Sequence, residues 1–123
     1  MTDQNLQPSE VTGASTIVDA FGFWPSFHDA EIVELHLVRE GLSKVVVELY
    51  VQTKKATVCF KLKNVVELCL DNFNHQNVLF DLTLTKTEIG YKLIMEPSFG
   101  LSGQIESEDI QVELLEVKNV VES

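Results

Sequence analysis

Apolar and polar residues alternate along most of the chain after residue 31, and this pattern limits the fold more than any other feature. A period of two is typical of strands that bury one face and expose the other. Short polar turns separate the runs, for example at residues 39–41 and 88–90. Because such turns join neighbouring strands, we expect a mainly antiparallel sheet. The clearest alternating apolar positions are Val45, Val47, Leu49, Val51, Val58, Phe60, Leu62, Tyr91, Leu93 and Met95.

Two local signals complete the predicted fold. Ser15 or Thr16 is placed to cap a short helix, and Gly22 is placed to end it. Asn64 interrupts one alternating run, which indicates a bulge or bend that turns the strand without ending it. We therefore expect an α+β, mainly β fold: a curved antiparallel sheet, or a sandwich or partial barrel, of about six to eight strands with one short N-terminal helix. Residues 1–12 are interpreted as a loose polar leader and residues 13–123 as a single domain.

The chain is strongly acidic, and this limits the classes of partner. It carries 9 basic and 19 acidic side chains among 123 residues, a formal net charge of −10. Such a field repels nucleic acid and anionic membrane surfaces, whereas it attracts basic proteins. The alternative is that the acidity only keeps a globular protein in solution. We expect no nucleic-acid partner and no membrane partner.

Cysteine usage and the N-terminal residues predict a cytoplasmic protein. The first residues do not combine a basic region with an apolar run, as a secretory signal would. Cys59 and Cys69 have no neighbouring His or Cys at zinc-ligand spacing, so we expect two reduced thiols and neither a metal nor another cofactor.

Residues 23–31 hold the densest cluster of unusual side chains, with the sequence FWPSFHDAE. A structural interpretation has Trp24 and Phe27 as apolar anchors, with Pro25 setting the chain direction. Ser26 and Asp29 have the spacing of a capping box, and His28 would bond nearby backbone groups.

A functional interpretation of the same segment uses His28 and Asp29 as a metal or acid–base pair. Adjacent residues point to opposite faces of an extended chain, so the two side chains converge only if a special turn is present. His36 and His75 do not lie at a sequence spacing that is typical of metal ligands. A small metal-dependent or acid–base hydrolase built on His28 and Asp29 therefore stays open as the alternative function.

Two further groups of residues are singled out. Asn74 and Asn77 lie in a polar turn, where amide side chains bond the local backbone. The last quarter of the chain is acidic, and strand alternation projects some of its acidic side chains from one edge of the sheet. Glu31 and Glu34 join them if the first long strand lies near. The four residues predicted to bind a partner are Glu31, Glu34, Glu113 and Glu116.

Three segments resemble the bacterial immunity protein 50 family. They are residues 23–31, residues 73–78 (FNHQNV) and residues 96–100 (EPSFG). The resemblance covers most of residues 20–118. It implies a non-enzymatic protein that binds and neutralises a cognate toxin encoded beside it, and the acidity suits a basic toxin. A third interpretation, self-assembly through an exposed sheet edge, fits the same alternation.

Overall fold

The computed structural model describes residues 4–5, 11–40 and 42–115, and side chains from 11–39 and 43–115. Within these residues no helix is long and apolar enough to cross a membrane. The elements in chain order are β1 (Gln4–Asn5), α1 (Ala14–Phe21), β2 (Glu31–Glu40), β3 (Leu42–Val51), β4 (Ala56–Asp71), β5 (Val78–Lys86), β6 (Tyr91–Phe99) and β7 (Ser102–Leu114).

Six antiparallel strands close into a ring, which confirms the predicted mainly β fold with one short N-terminal helix. The order around the ring is β5-β2-β3-β4-β7-β6, and pairing of β5 with β6 closes it. The ring is uneven. Strands β4 and β7 pair from Val58↔Leu114 to Asp71↔Ser102, whereas β2 and β5 pair only at Glu31↔Val78. The short β1 extends the sheet along the far end of β5, at Thr85 and Lys86.

The core lies inside the ring and consists of the inward-facing half of each alternating run. Val47, Leu49, Phe60 and Leu62 are completely buried. Burying a side chain of this size stabilises the folded state by about 1.5–3 kcal/mol relative to leaving it exposed. The sequence thus alternates because each strand has one face in the core and one face in solvent.

Helix α1 packs against the ring through residues on one side. Ala14, Ile17 and Phe21 are buried, at spacings of three and four. The predicted cap at Ser15 or Thr16 is wrong: the helix begins after Gly13, and no side chain in the described part of the chain caps it. The predicted end is confirmed, because Gly22 adopts a left-handed conformation and donates its N–H to the Val18 carbonyl at 2.7 Å.

The segment before α1 is attached to the sheet. The Thr12 carbonyl accepts the N–H of Val112 at 2.9 Å, and Val11 is buried. Gly13 lies so close to β7 that a Cβ atom would stand 1.9 Å from the Val112 carbonyl oxygen. Residues 1–12 were expected to be loose, yet their described part, at 4–5 and 11–12, belongs to the fold.

Two irregularities change which side chains face outward. Asn64 has φ 58° and β4 continues through it to Asp71, as predicted, but the register with β7 shifts two residues later, between Val65 and Glu67, where Val66 is the extra residue. In β2 the register shifts between Ile32 and Glu34. Because Val33 is the extra residue, Ile32 faces the core while Glu34 faces solvent, although simple alternation predicts that they share a face.

Candidate functional site

The three segments that carry the family resemblance meet at one corner of the ring. The N–H of Asp29 donates to the Leu79 carbonyl at 2.9 Å, and the N–H of Leu79 donates to the Ala30 carbonyl at 2.8 Å. On the next strand, Val78 stands opposite Phe99. We call the surface formed by residues 26–31, 72–81 and 96–101 the aromatic corner.

Asn77 joins these segments from the inside. Its side chain is 4% exposed, and its Oδ1 accepts the N–H groups of Asn74 and Leu101, each at 2.9 Å. Its Nδ2 donates to the Asn74 carbonyl at 2.9 Å. A Cβ atom on Gly100 would stand 2.5 Å from the same Oδ1, so only glycine permits this approach. Asn74 and Asn77 thus bond the backbone of their own turn, and Asn77 also reaches the segment after β6.

A strained turn positions His28 and Asp29. Phe27 and Asp29 both have positive φ, at 63° and 69°, and no helix begins here. The predicted capping box is therefore wrong: Ser26 Oγ instead accepts the N–H of His28 itself, at 3.2 Å. This is the special turn that convergence requires, and it brings His28 Nε2 within 3.6 Å of Asp29 Oδ1.

His28 is tied to a strand that is distant in sequence. Its Nδ1 donates to the Phe80 carbonyl at 2.8 Å, and its ring contacts the Phe80 ring edge-to-face at 5.3 Å. The side chains of His28 and Asp29 are 52% and 69% exposed. An exposed imidazole beside a carboxylate has the group types of an acid–base pair.

Trp24, Pro25 and Phe27 lie on the inner side of this corner. Phe27 and Pro25 are buried, and Trp24 is half-buried. The Phe27 ring packs edge-to-face against Trp24 at 5.6 Å and against Phe60 of β4 at 5.7 Å. This aromatic group links the segment after α1 to the centre of the ring.

The outer surface of the corner is aromatic and solvent-exposed. Phe73, Phe80 and Phe99 are 69%, 55% and 46% exposed. The register shift between Leu79 and Asp81 makes Phe80 an extra residue of β5, which explains why its side chain is exposed beside the buried Leu79. Large exposed side chains grouped in this way mark interaction surfaces more often than isolated ones do.

Acidic side chains form a row on the outer face of the sheet. Glu34 of β2 stands opposite Glu48 of β3, Glu48 opposite Cys59 of β4, and Cys59 opposite Glu113 of β7. Directly opposed residues share a face of an antiparallel ladder. We call Glu34, Glu48 and Glu113 the acidic row.

The acidic row contains two of the four acids chosen from the sequence and one that sequence reasoning missed. Glu48 was missed because its importance depends on which strands are neighbours. Glu31 lies in the adjacent row, opposite both Tyr50 and Val78. Glu116 lies outside the described residues. The row Tyr50, Glu31, Val78 and Phe99 connects the acidic row to the aromatic corner.

Cys59 lies in the middle of the acidic row and is buried on the outer face. Burial raises the pKa of its thiol, and the charges of Glu48 and Glu113 raise it further, while Lys61 opposes them. Lys61 Nζ pairs with Glu113 Oε2 at 3.1 Å, and this hydrogen bond raises the pKa of Lys61. The thiol is thereby kept protonated and unreactive at neutral pH.

One group of side chains has the donor types and spacing for a metal ion. Donor atoms of Glu34, His36 and Glu48 lie within 4.8 Å of one another on the outer face. His36 Nε2 contacts Glu34 Oε1 at 2.5 Å. All three side chains are exposed or half-buried. His36 therefore has two carboxylates close enough to bind the same metal ion. Within the described residues, His28 is not part of such a group.

A cleft of about 310 Å³ with a mixed apolar and charged lining opens at the turn end of the β2–β3 hairpin. Leu37 and Val45 line one side, and Val66 and Leu68 of β4 line the other. The cleft lies beyond the last residues through which β3 and β4 pair, at Lys44 and Lys63. It is thus a consequence of β4 extending past its neighbour.

Comparisons with known protein families, with curated proteins and with solved structures found no match to this chain.

Proposed function

We propose that this protein is a non-enzymatic, cytoplasmic immunity protein that binds and neutralises a basic protein toxin, as the resemblance to the immunity protein 50 family implies. One observation carries the proposal: Glu34 stands directly opposite Glu48. Glu34 contacts the imidazole of His36, and within the described residues neither Glu34 nor Glu48 has a lysine or arginine in ion-pair contact. Like charges directly opposite each other destabilise a ladder, so a cationic side chain supplied by a partner would relieve this repulsion.

The surroundings of the acidic row have the composition of an interface. Exposed phenyl rings lie next to the charged row, and Glu31 lies between the two surfaces. Protein interfaces combine aromatic anchors with a polar rim. The net charge of −10 would also speed the encounter with a basic toxin, which an immunity protein needs because it must bind before damage occurs.

The test is co-expression with the toxin domain encoded by the neighbouring gene. We expect cells to survive, and we expect the two proteins to copurify as a stoichiometric complex. Growth arrest that persists when both proteins are expressed and folded would contradict the proposal.

Charge reversal locates the interface. We expect the double variant Glu34→Lys, Glu48→Lys to bind the toxin at least about tenfold more weakly, with a larger loss at low salt because screening is weaker there. The matched control is Asp19→Lys combined with Glu88→Lys, which reverses the same number of exposed carboxylates, on α1 and on the turn between β5 and β6. Equal affinity of the double variant and the control would remove the acidic row from the interface.

A small hydrolase that uses His28 and Asp29 is the second candidate, since these side chains lie 3.6 Å apart on an open surface. Thermal melting with manganese and zinc tests it, because a specifically bound ion stabilises the native state by mass action. A rise in Tm that His28→Ala abolishes and His75→Ala leaves intact would favour this candidate over the immunity function.

A further inference from the structure

We propose that the aromatic corner is an anchor site for arginine side chains of a basic protein, with the exposed rings of Phe80 and Phe99 contacting the guanidinium and Asp81 and Glu96 neutralising it. This inference rests on the proposed function in taking the partner to be a basic protein. The new part of the proposal is the location of the binding site, at the aromatic corner, and the type of partner side chain that it recognises, arginine.

The acidic part of this site consists of a second opposed pair. Asp81 of β5 stands directly opposite Glu96 of β6, and both side chains are exposed. Asp81 Oδ1 accepts the N–H of Leu82 at 3.0 Å, which holds this carboxylate in place. Two carboxylates facing each other across a ladder repel, and one planar cation between them removes that repulsion.

The aromatic part lies beside the acidic pair. Phe80 precedes Asp81 as the extra residue of the bulge, and Phe99 ends the strand that carries Glu96. A guanidinium has flat faces that stack on rings and edges that pair with carboxylates. A lysine ammonium is a compact, strongly hydrated point charge, so it gains less from the rings.

Hydrogen bonds hold the neighbouring imidazoles in place before a partner arrives. His28 Nδ1 donates to the Phe80 carbonyl at 2.8 Å, and His75 Nδ1 donates to Asn74 Oδ1 at 2.9 Å. The His75 ring also contacts the Phe99 ring edge-to-face at 6.2 Å. A surface that is already ordered loses less conformational freedom on binding.

Charge decides the kind of partner. The segments of the aromatic corner contain Asp29, Glu31, Asp81 and Glu96 and no lysine or arginine. Nucleic acid and anionic membranes would be repelled. A second copy of this chain would bring the same carboxylates together, which is also unfavourable. A protein surface that presents arginine is complementary both to the charge and to the rings.

The probe is a short peptide, acetyl-Gly-Arg-Gly-Arg-Gly-amide, added to ¹⁵N-labelled protein and followed by NMR. Matched peptides carry lysine or citrulline in place of arginine, citrulline having nearly the same shape without the charge. We expect saturable shifts in residues 26–31, 72–81 and 96–101. We expect the arginine peptide to bind at least about threefold more tightly than the lysine peptide, and the citrulline peptide to cause no saturable shift.

Variants separate the two parts of the site. Phe99→Ala should reduce the preference for arginine over lysine to about one, and Asp81→Asn with Glu96→Gln should weaken the binding of both peptides at least about fivefold. Ile89→Ala is the control, because Ile89 is a large exposed apolar residue on the turn between β5 and β6. Equal binding of arginine and lysine by the unaltered protein, or shifts confined to the acidic row, would overturn the proposal.

The peptide experiment contains no toxin, so its result is separate from the test of the immunity function. If the protein binds the arginine peptide but does not protect cells from the toxin, the immunity function is contradicted and the anchor site is still supported. Full protection by Phe99→Ala and by the Asp81, Glu96 double variant would contradict the anchor site and leave the immunity function standing.

Discussion

The buried Asn77 side chain accepts the N–H of Leu101 at 2.9 Å, which ties the turn before β5 to the segment that links β6 to β7. The same Oδ1 accepts the N–H of Asn74. One amide oxygen therefore sets the relative positions of two of the segments that form the aromatic corner. Removing it would leave buried donors without an acceptor.

We predict that Asn77→Ala lowers the free energy of unfolding by about 3 kcal/mol, since an unpaired buried polar group costs about 1–3 kcal/mol. Urea denaturation followed by circular dichroism measures the change. Asn74→Ala is the matched control: among the described residues its exposed side chain bonds only the adjacent His75, so we expect a loss below about 1 kcal/mol. Equal losses in the two variants would contradict the central role of Asn77.

Gly13 and Gly22 flank α1 and both have positive φ, at 92° and 88°. Gly13→Ala places a Cβ atom 1.9 Å from the Val112 carbonyl oxygen, whereas a Cβ atom on Gly22 meets no atom of the described residues within 4 Å. We predict that Gly13→Ala destabilises the protein by about 3 kcal/mol or more. Gly22→Ala should cost about 1–2 kcal/mol, the strain of the left-handed conformation alone. Thermal melting of both variants checks the difference.

Phe27 and Phe23 lie four residues apart but in opposite environments. Phe27 is 2% exposed and contacts Trp24 and Phe60, while Phe23 is 54% exposed. We predict that Phe27→Ala costs about 3–5 kcal/mol, as for other buried phenylalanines. Phe23→Ala should cost less than about 1 kcal/mol. Chemical denaturation that gives similar midpoints for both would place Phe27 outside the cooperative core.

The two cysteines should differ in reactivity. Cys59 is buried and its pKa is raised, whereas Cys69 is exposed. With a thiol reagent at pH 8 we predict that Cys69 reacts in the folded protein and that Cys59 reacts roughly 100-fold more slowly, mainly after unfolding. The fast phase of the reaction is assigned to Cys69 if Cys69→Ser abolishes it. A fast phase that survives this substitution would show that Cys59 is accessible.

The raised pKa of Cys59 also predicts how stability depends on pH. Above the ordinary value of 9.0 the unfolded chain releases the thiol proton while the folded protein still holds it. Stability is therefore fully present below pH 9 and is lost as pH rises through the folded pKa. Urea denaturation at pH 8 and pH 10 should show a smaller loss for Cys59→Ala than for the unaltered protein. An identical loss would mean that other groups account for the whole effect.

Much of the fold could be predicted from the sequence because it depends on the local alternation of apolar and polar residues. The alternation around Val47 and Phe60 marks strands with one buried face, and Asn64 marks an irregularity inside β4 that lies two residues before the bulge at Val66. The start of α1 was predicted wrongly because Gly13 is required by its contact with Val112 on a strand distant in sequence. The residues next to Gly13 in the sequence give no information about that contact.

The candidate site could be predicted only in part. The segments around His28, Asn77 and Phe99 were recognised as unusual, and strand alternation placed Glu34 and Glu113 on outer faces. Glu48 and Asp81 were overlooked because each is an ordinary exposed acid until the register places another carboxylate opposite it.

The sequence by itself determined that this chain forms antiparallel strands after one short helix, and that its surface is acidic, since periodicity and charge are local properties. Only the tertiary structure decided that β2 lies between β3 and β5 and that β7 lies between β4 and β6. That order follows from burying all the inward faces in one ring at the same time, a condition that no single segment contains. The opposed pairs Glu34–Glu48 and Asp81–Glu96, on which the proposed interactions depend, are consequences of that order.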